Sequence, residues 1–329
     1  MSISERSSWS ISVVMAVYNP DLSFIEKAVR SVLEQSIPVK ELLLVNDGGC
    51  GEYTRRLPDD SRIRLFAKRN EGVAKARNFA IAECRGEYIA FLDQDDYWYP
   101  YKLQEQVAMI GARGERCMVT SPVDVVDASG ALIRKKSKAV QDMYFLKASK
   151  GNTLLSLADE NFVYSSTPLV HGEVFKKTGG FDASVQPHDD WDMYMRIALA
   201  GYPIYFPVER PLSVWRVHAA NESQNVAAML LSKFRVEQKL LGLVGDQAVK
   251  RVLQANLSID TLKRDNLVYN EKDYCRFRKA VFPDMLKVLE EYAVERGDPV
   301  FERRFKHRVR KTVLKSCRRF LLSFFQSHR

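Results

Sequence analysis

Three carboxylates directly follow one short apolar segment of this chain. Residues 88–92 are apolar, and Asp93, Gln94, Asp95 and Asp96 come next. Near-continuous apolar runs are typical of buried parallel strands, and open α/β sheets bind ligands at the carboxyl ends of such strands. Asp93 and Asp95 would point the same way on an extended strand, where their charges repel unless a cation lies among them. The segment therefore favours a site for a hard divalent ion and the phosphates that it binds.

The same segment has a second interpretation that needs no ligand. Residues 93–96 would form a solvated acidic turn whose side chains cap a helix that starts at Tyr101, since carboxylates are favoured at helix N-termini. Short acidic motifs also match by chance. The segment alone leaves both interpretations open.

A second acidic group opens a predicted helix later in the chain. Asp189, Asp190 and Asp192 follow His188, and apolar residues then recur at helical spacing. The helix dipole stabilises acidic side chains in a first turn, so this group needs no catalytic role to be stable. Asp192 and Arg196 are spaced i,i+4, and we expect them to form an ion pair.

The elements that would position these groups alternate between strands and helices. Apolar runs predict strands at residues 11–17, 41–45, 63–66 and 88–92, and helical periodicity predicts helices at residues 24–35 and 73–84. This order is typical of a mostly parallel sheet with helices on both faces. Polar residues end three of the strands, at Tyr18 and Asn19, at Asn46 and Asp47, and at residues 93–95. We expect these ends to line one crevice that binds a nucleotide.

The rest of the chain is predicted to be mixed and then helical. Strands are expected at residues 117–126 and 162–170 and a helix at residues 189–200, while Gly and Pro become rare from about residue 225. We therefore predict one α/β domain at residues 1–224 and a helical region at residues 225–329.

The net charge of +9 resides in the C-terminal tail. Residues 301–329 carry ten Lys or Arg against one Glu, which leaves the remainder of the chain neutral. Apolar residues recur through this tail at helical spacing, which predicts an amphipathic helix that binds an anionic membrane surface. The alternative is that the apolar stripe packs on the helical region. A neutral body without a recognisable nucleic-acid motif argues against nucleic-acid binding.

Three further features predict the cellular compartment. No run of eighteen apolar residues appears, and the first ten residues lack the apolar core of a secretory signal. The five cysteines have no C-x-x-C spacing, which favours a reducing compartment. We expect a cytoplasmic protein that is peripheral at the inner face of the cell membrane.

Seven short motifs occur in order along residues 10–222. They are Val17-Tyr-Asn19, Val45-Asn-Asp-Gly48, Asn70-Glu-Gly72 with Ala76-Arg-Asn78, Leu92-Asp-Gln-Asp-Asp96, Gly179-Gly-Phe-Asp182, Asp189-Asp-Trp-Asp192 with Arg196, and Trp215-Arg-Val-His218. Each is weak alone, but the ordered series resembles the inverting nucleotide-sugar glycosyltransferases of family 2. The resemblance implies the α/β fold called GT-A, which is Rossmann-like, with the helical region as a C-terminal appendage.

The resemblance implies a nucleotide-sugar donor, most simply a UDP-sugar, and a set of residues that bind it. That set is Ala16, Tyr18, Asn19, Asp47, Lys75, Arg77, Asp93 and Asp95. Asp47 would accept the N3–H of uracil, although an Asx turn with Gly48 is an alternative role. Lys75 and Arg77 would meet the nucleotide, although basic side chains on helices usually face water.

The resemblance also divides the acidic residues by role. Asp93 would lie near the ribose, Asp95 would ligate Mg²⁺ or Mn²⁺ at the diphosphate, and His218 would be a further ligand of the metal or the diphosphate. Such a metal offsets the charge that develops on the departing nucleotide. Asp96 would only cap the following helix.

An inverting transfer needs a carboxylate base, and the resemblance assigns that role to Asp190. The family carries Glu-Asp at this place, whereas this chain has Asp189 first. Asp189, His188 and Trp191 would lie on the acceptor side. The Gln-x-x-Arg-Trp motif of processive members is missing, so we expect the addition of one sugar or a few.

The predicted function is metal-dependent transfer of a sugar to a glycan or lipid-linked glycan in bacterial surface polysaccharide or glycolipid synthesis, with a homodimer left open. One alternative is a sugar-phosphate nucleotidyltransferase, but residues 16–20 lack the Gly-rich phosphate loop that it needs. Another is a non-catalytic GT-A-fold nucleotide-binding module. The presence of both Asp95 and Asp190 argues against that alternative.

Overall fold

A computed structural model describes residues 9–111, 116–207 and 210–257 of the chain. Contacts divide the chain into two units, Met1–Gln224 and Asn225–Arg329. The first unit contains the elements that the motifs occupy. The tail at residues 301–329, for which we predict membrane binding, lies outside the described residues.

A seven-stranded sheet forms the centre of the first unit, in the order β3-β2-β1-β4-β8-β6-β9. Its strands are β1 Ile11–Val17, β2 Glu41–Asp47, β3 Ile63–Lys68, β4 Tyr88–Phe91, β6 Met118–Val119, β8 Leu169–His171 and β9 Ile204–Tyr205. Strands β1 to β4 are parallel, and β8 runs antiparallel to both β4 and β6. The first half of the sheet therefore has the predicted parallel arrangement.

A smaller sheet and a set of helices complete the first unit. The small sheet contains β5 Tyr97–Trp98, β7 Val123–Asp127 and β10 Ser213–Val217 in the order β5-β10-β7. The helices are α1 Leu22–Leu33, α2 Val73–Glu83, α3 Lys102–Gly111, α4 Arg134–Ala148, α5 Thr153–Asp159, α6 Gly172–Thr178 and α7 Asp189–Leu199, with 3-10 turns at Gly51–Arg56, Ala183–Val185 and Glu222–Gln224.

Periodicity explains why β1 and α1 pack together. All of β1 is buried except Ala16, as expected for a strand covered on both faces. In α1 the buried residues Ile25, Val29 and Val32 recur every three or four positions and share one core cluster with the strand. Asp21 caps the helix by accepting from the backbone N–H groups of the next turn.

Two predicted strands are wrong in the second half of the unit. The run at residues 117–126 is interrupted around Pro122, so that β6 joins the large sheet and β7 the small one. Proline cannot donate to a strand ladder, which accounts for the break. The run at residues 162–170 is extended only from Leu169, because Thr167 N–H donates to Tyr164 O over 3.0 Å and closes a turn.

The second unit contains α8 Val226–Leu243 and α9 Gln247–Asn256 among its described residues. Leu240, Val249 and Leu253 are buried, in keeping with the helical pattern of this region. None of the helices in residues 9–111, 116–207 and 210–257 combines the length and hydropathy that a membrane span requires.

Candidate active site

The acidic segment lies on a turn at the end of β4. The strand ends at Phe91, and Asp96 N–H donates to Asp93 O over 3.2 Å. The prediction that Asp93 and Asp95 point the same way on an extended strand is therefore wrong, because the chain reverses between them. Their side chains contact different partners.

Asp93 is held by two side chains from other parts of the fold. Its Oδ1 accepts from Arg77 Nη2 over 2.7 Å, and its Oδ2 accepts from the Ser165 hydroxyl. Ser165 lies in the turn that interrupts the predicted strand at residues 162–170. Both oxygens of Asp93 are thus engaged inside the protein.

Arg77 connects this strand end to the second acidic group. Its Nη1 donates to Asp189 Oδ2 over 3.2 Å, and its side chain is 7% exposed. Burial disfavours the charged guanidinium, but Asp93, Asp189 and Asp190 outweigh that cost and raise the pKa of Arg77. Arg77 is thus a buried counter-ion for three carboxylates, and the alternative that its side chain faces water is wrong, while its predicted contact with the nucleotide stays a prediction.

Asp95 faces His218 and Asn221. His218 Nε2 lies 2.8 Å from Asp95 Oδ2, and Asn221 Nδ2 donates to the same oxygen over 3.1 Å. Burial and then the nearby charge of Asp93 raise the pKa of Asp95, while His218 opposes that rise. A carboxylate oxygen and an imidazole nitrogen therefore converge, from the β4 turn and from the end of β10.

Asp96 does not cap the following helix, contrary to both interpretations of its role. Strand β5 lies between it and α3, and its side chain is 4% exposed. Its Oδ1 accepts from Arg216 N–H over 2.8 Å and its Oδ2 from the Ser166 hydroxyl over 2.5 Å. Asp96 therefore attaches the acidic turn to β10.

Asp190 lies in the first turn of α7, one residue after the partner of Arg77. Its Oδ1 accepts from Trp191 N–H over 2.6 Å. Burial, and then the charge of Asp189, raise the pKa of Asp190 to about 7, although Arg77 acts in the opposite direction. A carboxylate with this pKa can take up a proton near neutral pH, as a general base must.

The side chain of Trp191 points into the protein rather than toward an acceptor. It is 1% exposed, and its indole N–H donates to Leu157 O over 2.8 Å. The expectation that Trp191 contacts the acceptor is therefore wrong, because helix α5 covers it. The His188 ring packs on the Trp191 ring at a centroid distance of 5.8 Å.

The remaining contacts of α7 fix its orientation. Asp192 and Arg196 form the predicted i,i+4 ion pair, with Nη2 and Oδ2 2.7 Å apart. The same guanidinium donates to Thr178 O and Gly180 O. Asn78, next to Arg77 on α2, pairs with both backbone groups of Phe181.

Gly180 has no room for a side chain, because a Cβ there would lie 2.1 Å from Asn78 Oδ1. Asn78 of the Ala-Arg-Asn motif therefore packs directly on Gly180 of the Gly-Gly-Phe-Asp motif.

The carboxylate of Asp47 lies at the end of β2 and is bound from β3 and the next loop. Its Oδ1 accepts from Lys68 Nζ over 2.7 Å, and its Oδ2 accepts from Gly72 N–H over 2.8 Å. The Asx turn that we considered for Asp47 belongs to Asn46, whose Oδ1 accepts from Gly49 N–H. Lys75 is exposed and pairs with Glu71 over 3.2 Å.

The residues that follow β1 contact the acidic turn and the loop after β2. Gln94 accepts from Tyr18 N–H over 2.8 Å and donates to Tyr18 O over 3.1 Å, which attaches the acidic turn to β1. Asn19 Oδ1 accepts from Cys50 N–H. The Tyr18 side chain is 51% exposed, and Ala16 is the one incompletely buried residue of its strand.

Comparisons with known proteins identify the family. Residues 12–170 match the model of the family described as Glycosyl transferase family 2. An uncharacterized glycosyltransferase of Rickettsia typhi is 30% identical over 232 residues, which cover 68% of this chain and 69% of that protein. The chain belongs to glycosyltransferase family 2. The match covers only 35% of the length of a related glycosyltransferase of Rickettsia conorii.

Two solved structures support the GT-A fold of this glycosyltransferase. TarS of Staphylococcus aureus in complex with UDP has a TM-score of 0.61 at 16% identity, covering 87% of this chain and 82% of that one. The mannosyltransferase PcManGT of Pyrobaculum calidifontis, in complex with GDP-Man and Mn²⁺, has a TM-score of 0.58 at 17% identity, covering 96% of this chain and 84% of that one.

Sequence reasoning missed several residues that contact the candidate site residues. They are Lys68, Gln94, Ser165, Ser166, Arg216 and Asn221. Gln94 lies inside the acidic motif, and Asn221 follows His218 by three residues, so their proximity could have indicated them. Lys68 and the two serines reach the site through sheet order and a turn, which no local pattern reveals.

Proposed function

We propose that this family 2 glycosyltransferase is an inverting, metal-dependent enzyme that moves a sugar from a UDP-sugar to an acceptor hydroxyl. The observation that carries the proposal is the bridge from Asp93 through Arg77 to Asp189, with Asp190 next in the chain at a pKa of about 7. This bridge connects the end of β4, which is proposed to bind the donor, to helix α7, which is proposed to carry the base.

Asp190 is the proposed general base. Its carboxylate takes the proton of the acceptor hydroxyl while that oxygen forms a bond to C1 of the donor sugar. The bond from C1 to the diphosphate oxygen breaks on the opposite side, and the electron pair leaves with the nucleotide diphosphate. Attack from the opposite face inverts the configuration at C1. Asp190 then returns its proton to water.

The proposed metal ligands are Asp95 and His218. Their oxygen and nitrogen atoms lie 2.8 Å apart and so can converge on one ion, and an ion that keeps waters and phosphate oxygens needs few protein ligands. Among the described residues, no group of three or more His, Cys, Asp or Glu is arranged so that it could hold a metal ion by itself. When bound, Mg²⁺ or Mn²⁺ supplies Lewis-acid stabilisation of the departing diphosphate. The Mn²⁺ complex of PcManGT supports a divalent ion.

The proposed base-binding group is Asp47 with Lys68. A uracil presents a donor at N3 and an acceptor at O4, which complement a carboxylate and an ammonium. These two groups lie 2.7 Å apart at the end of β2. TarS binds UDP and UDP-GlcNAc, which supports a UDP-sugar donor here. Ala16, Tyr18 and Asn19 at the neighbouring strand end are proposed to flank the base.

The other proposals concern the rest of the protein. The acceptor is proposed to be a glycan or lipid-linked glycan of the bacterial surface. Residues 301–329 are proposed to dock on an anionic membrane, which co-sedimentation of the full chain with anionic vesicles tests. The division into a catalytic domain at residues 1–224 and a helical region at residues 225–329 remains our proposal for the functional domains.

A donor screen tests the proposed function directly. Release of nucleotide diphosphate is measured with UDP-, GDP- and dTDP-sugars, with and without Mn²⁺. The proposal predicts Mn²⁺-dependent release that is fastest with a UDP-sugar. A nucleotide-binding module would bind UDP without releasing it from any donor, and a nucleotidyltransferase would instead form UDP-sugar from UTP and a sugar phosphate.

A further inference from the structure

Two aromatic rings and a lysine pack together in the first unit and have no role in the chemistry above. The ring centroids of Tyr164 and Trp215 are 5.1 Å apart at an interplanar angle of 37°. Lys136 Nζ lies 4.3 Å from the centroid of the Trp215 ring. All three side chains are partly exposed. They come from three separate segments, so the cluster is a product of the tertiary fold.

Each ring is adjacent in the chain to a residue that holds the acidic turn. Tyr164 precedes Ser165, whose hydroxyl donates to Asp93. Trp215 precedes Arg216, whose guanidinium donates to Asp95 O over 2.9 Å. The same two segments therefore carry both the cluster and residues that hold the acidic turn.

Trp215 differs in exposure and hydrogen bonding from two buried tryptophans, Trp98 and Trp191. Trp98 and Trp191 are 2% and 1% exposed, and their indole N–H groups donate to Ser166 O and Leu157 O. The indole N–H of Trp215 makes no hydrogen bond to any residue that the structure describes. A partly exposed ring with an available donor suits a ligand that has both an apolar face and hydroxyl groups, as a sugar ring does.

The charges around Lys136 indicate an anionic ligand. Arg134, Lys135, Lys136 and Lys138 lie within one turn and a half at the start of α4. Only Lys138 has an ion-pair partner among the described residues, Asp142 at 3.0 Å. Lys136 thus combines contact with the Trp215 ring and an uncompensated charge.

We propose that Tyr164, Trp215 and Lys136 form an acceptor subsite for an anionic sugar. The sugar ring lies against the aromatic pair, and a phosphate or carboxylate on that sugar pairs with Lys136. This inference rests on the proposed function, because it assigns the cluster to the acceptor of the same transfer. The inference adds that the acceptor sugar carries its negative charge close to the sugar ring that stacks on Tyr164 and Trp215.

Ligand-observed NMR titrations of the full chain with UDP and diamagnetic Mg²⁺ test the subsite. The probes are glucose 1-phosphate, glucuronic acid, methyl β-glucoside and inorganic phosphate. The two anionic sugars distinguish a phosphate from a carboxylate as the recognised group. At least one should bind about threefold to fivefold more tightly than the neutral glucoside, as expected for an exposed charge pair. Inorganic phosphate alone should bind more weakly than glucose 1-phosphate.

Three variants separate the contribution of the lysine charge from that of the aromatic rings. Lys136→Gln should remove the preference for the anionic sugar, and Trp215→Leu should weaken every sugar probe by about fivefold to tenfold. Lys138→Gln, on the same helix, is the matched control and should behave as wild type. UDP binding is measured for each variant to verify folding. If Trp215→Leu does not fold, Trp215→Phe and Lys136→Gln carry the test.

Equal affinity for neutral and anionic sugars, or an unchanged preference in Lys136→Gln, would overturn the subsite. Phosphate binding as tightly as glucose 1-phosphate would also overturn it, since that result describes an anion site without sugar recognition. Failure of the wild-type chain to bind UDP would instead contradict the proposed function.

Discussion

Arg77 donates to Asp189 over 3.2 Å, although the two residues are 112 positions apart in the chain. The same guanidinium contacts Asp93 over 2.7 Å. One buried cation therefore fixes the distance between the turn after β4 and the start of α7. In the proposed mechanism, this distance sets the position of the base relative to the donor sugar.

Replacement of Arg77 by Gln should destabilise the protein and slow transfer. Loss of the cation leaves the buried carboxylate of Asp189 and the half-buried carboxylate of Asp93 without their shared partner, and breaking a buried ion pair costs about 3–5 kcal/mol. Chemical denaturation measures the change in the free energy of unfolding. Arg30→Gln is the control, because its pair with Glu26 is solvent-exposed and should contribute less than about 1 kcal/mol. Similar effects of the two substitutions would contradict the role of Arg77.

The rate of transfer should depend on the ionisation of Asp190. Its pKa is raised to about 7, and only the deprotonated carboxylate can accept a proton. We expect kcat/KM to fall about tenfold per pH unit below that pKa and to level off above it. The groups that act on this pKa are Asp189 and Asp93, which raise it, and Arg77, which lowers it. An acidic limb near the ordinary pKa of an aspartate would contradict the assignment.

The same raised pKa predicts a stability change in Asp190→Asn. Between the ordinary aspartate pKa and about 7, the folded state holds a proton that the unfolded state has released, so the stability of the wild type falls as pH rises through this window. An uncharged Asn avoids that loss. Relative to wild type, the variant should gain about 2–3 kcal/mol of stability between pH 5 and pH 8. Thermal unfolding at both pH values measures this, and a pH-independent difference would refute the prediction.

Asp95→Ala should weaken the binding of UDP in the presence of Mn²⁺. The carboxylate lies 2.8 Å from His218 Nε2, and its loss removes one of two proposed ligands of the ion that offsets the diphosphate charge. Titration calorimetry with and without Mn²⁺ gives both affinities. The difference between them should be large in wild type and small in the variant. An equal metal dependence in both proteins would remove Asp95 from the proposed metal site.

Local sequence patterns predicted the parallel half of the fold because each element carries its own periodicity. Strand β1 at Ile11–Val17 and helix α7 at Asp189–Leu199 match their predicted ranges within one residue. The predicted strand at residues 162–170 failed because the polar segment 165–168, which ends in Pro168, forms a hydrogen-bonded turn after Tyr164.

The motifs predicted which residues gather at the strand ends but not how they pair. Asp47 ends β2, and Asp93 and Asp95 follow β4, so all three lie at the carboxyl ends of parallel strands, as expected. Their partners Lys68 and Arg77 could not be assigned, since each pairing depends on side-chain direction and burial. From the sequence, Arg77 resembles an exposed basic residue on a helix, and only the fold shows that it is buried.

The rate of sugar transfer by Asp190→Asn, measured together with UDP affinity, tests the central claim most directly. A general base acts only as the acceptor attacks, so the variant should lose about a hundredfold or more in transfer while its UDP affinity stays within about twofold of wild type. Asp142→Asn on the exposed face of α4 is the matched control and should transfer at the wild-type rate. Near-normal transfer by Asp190→Asn would contradict the account and would direct attention to Asp189.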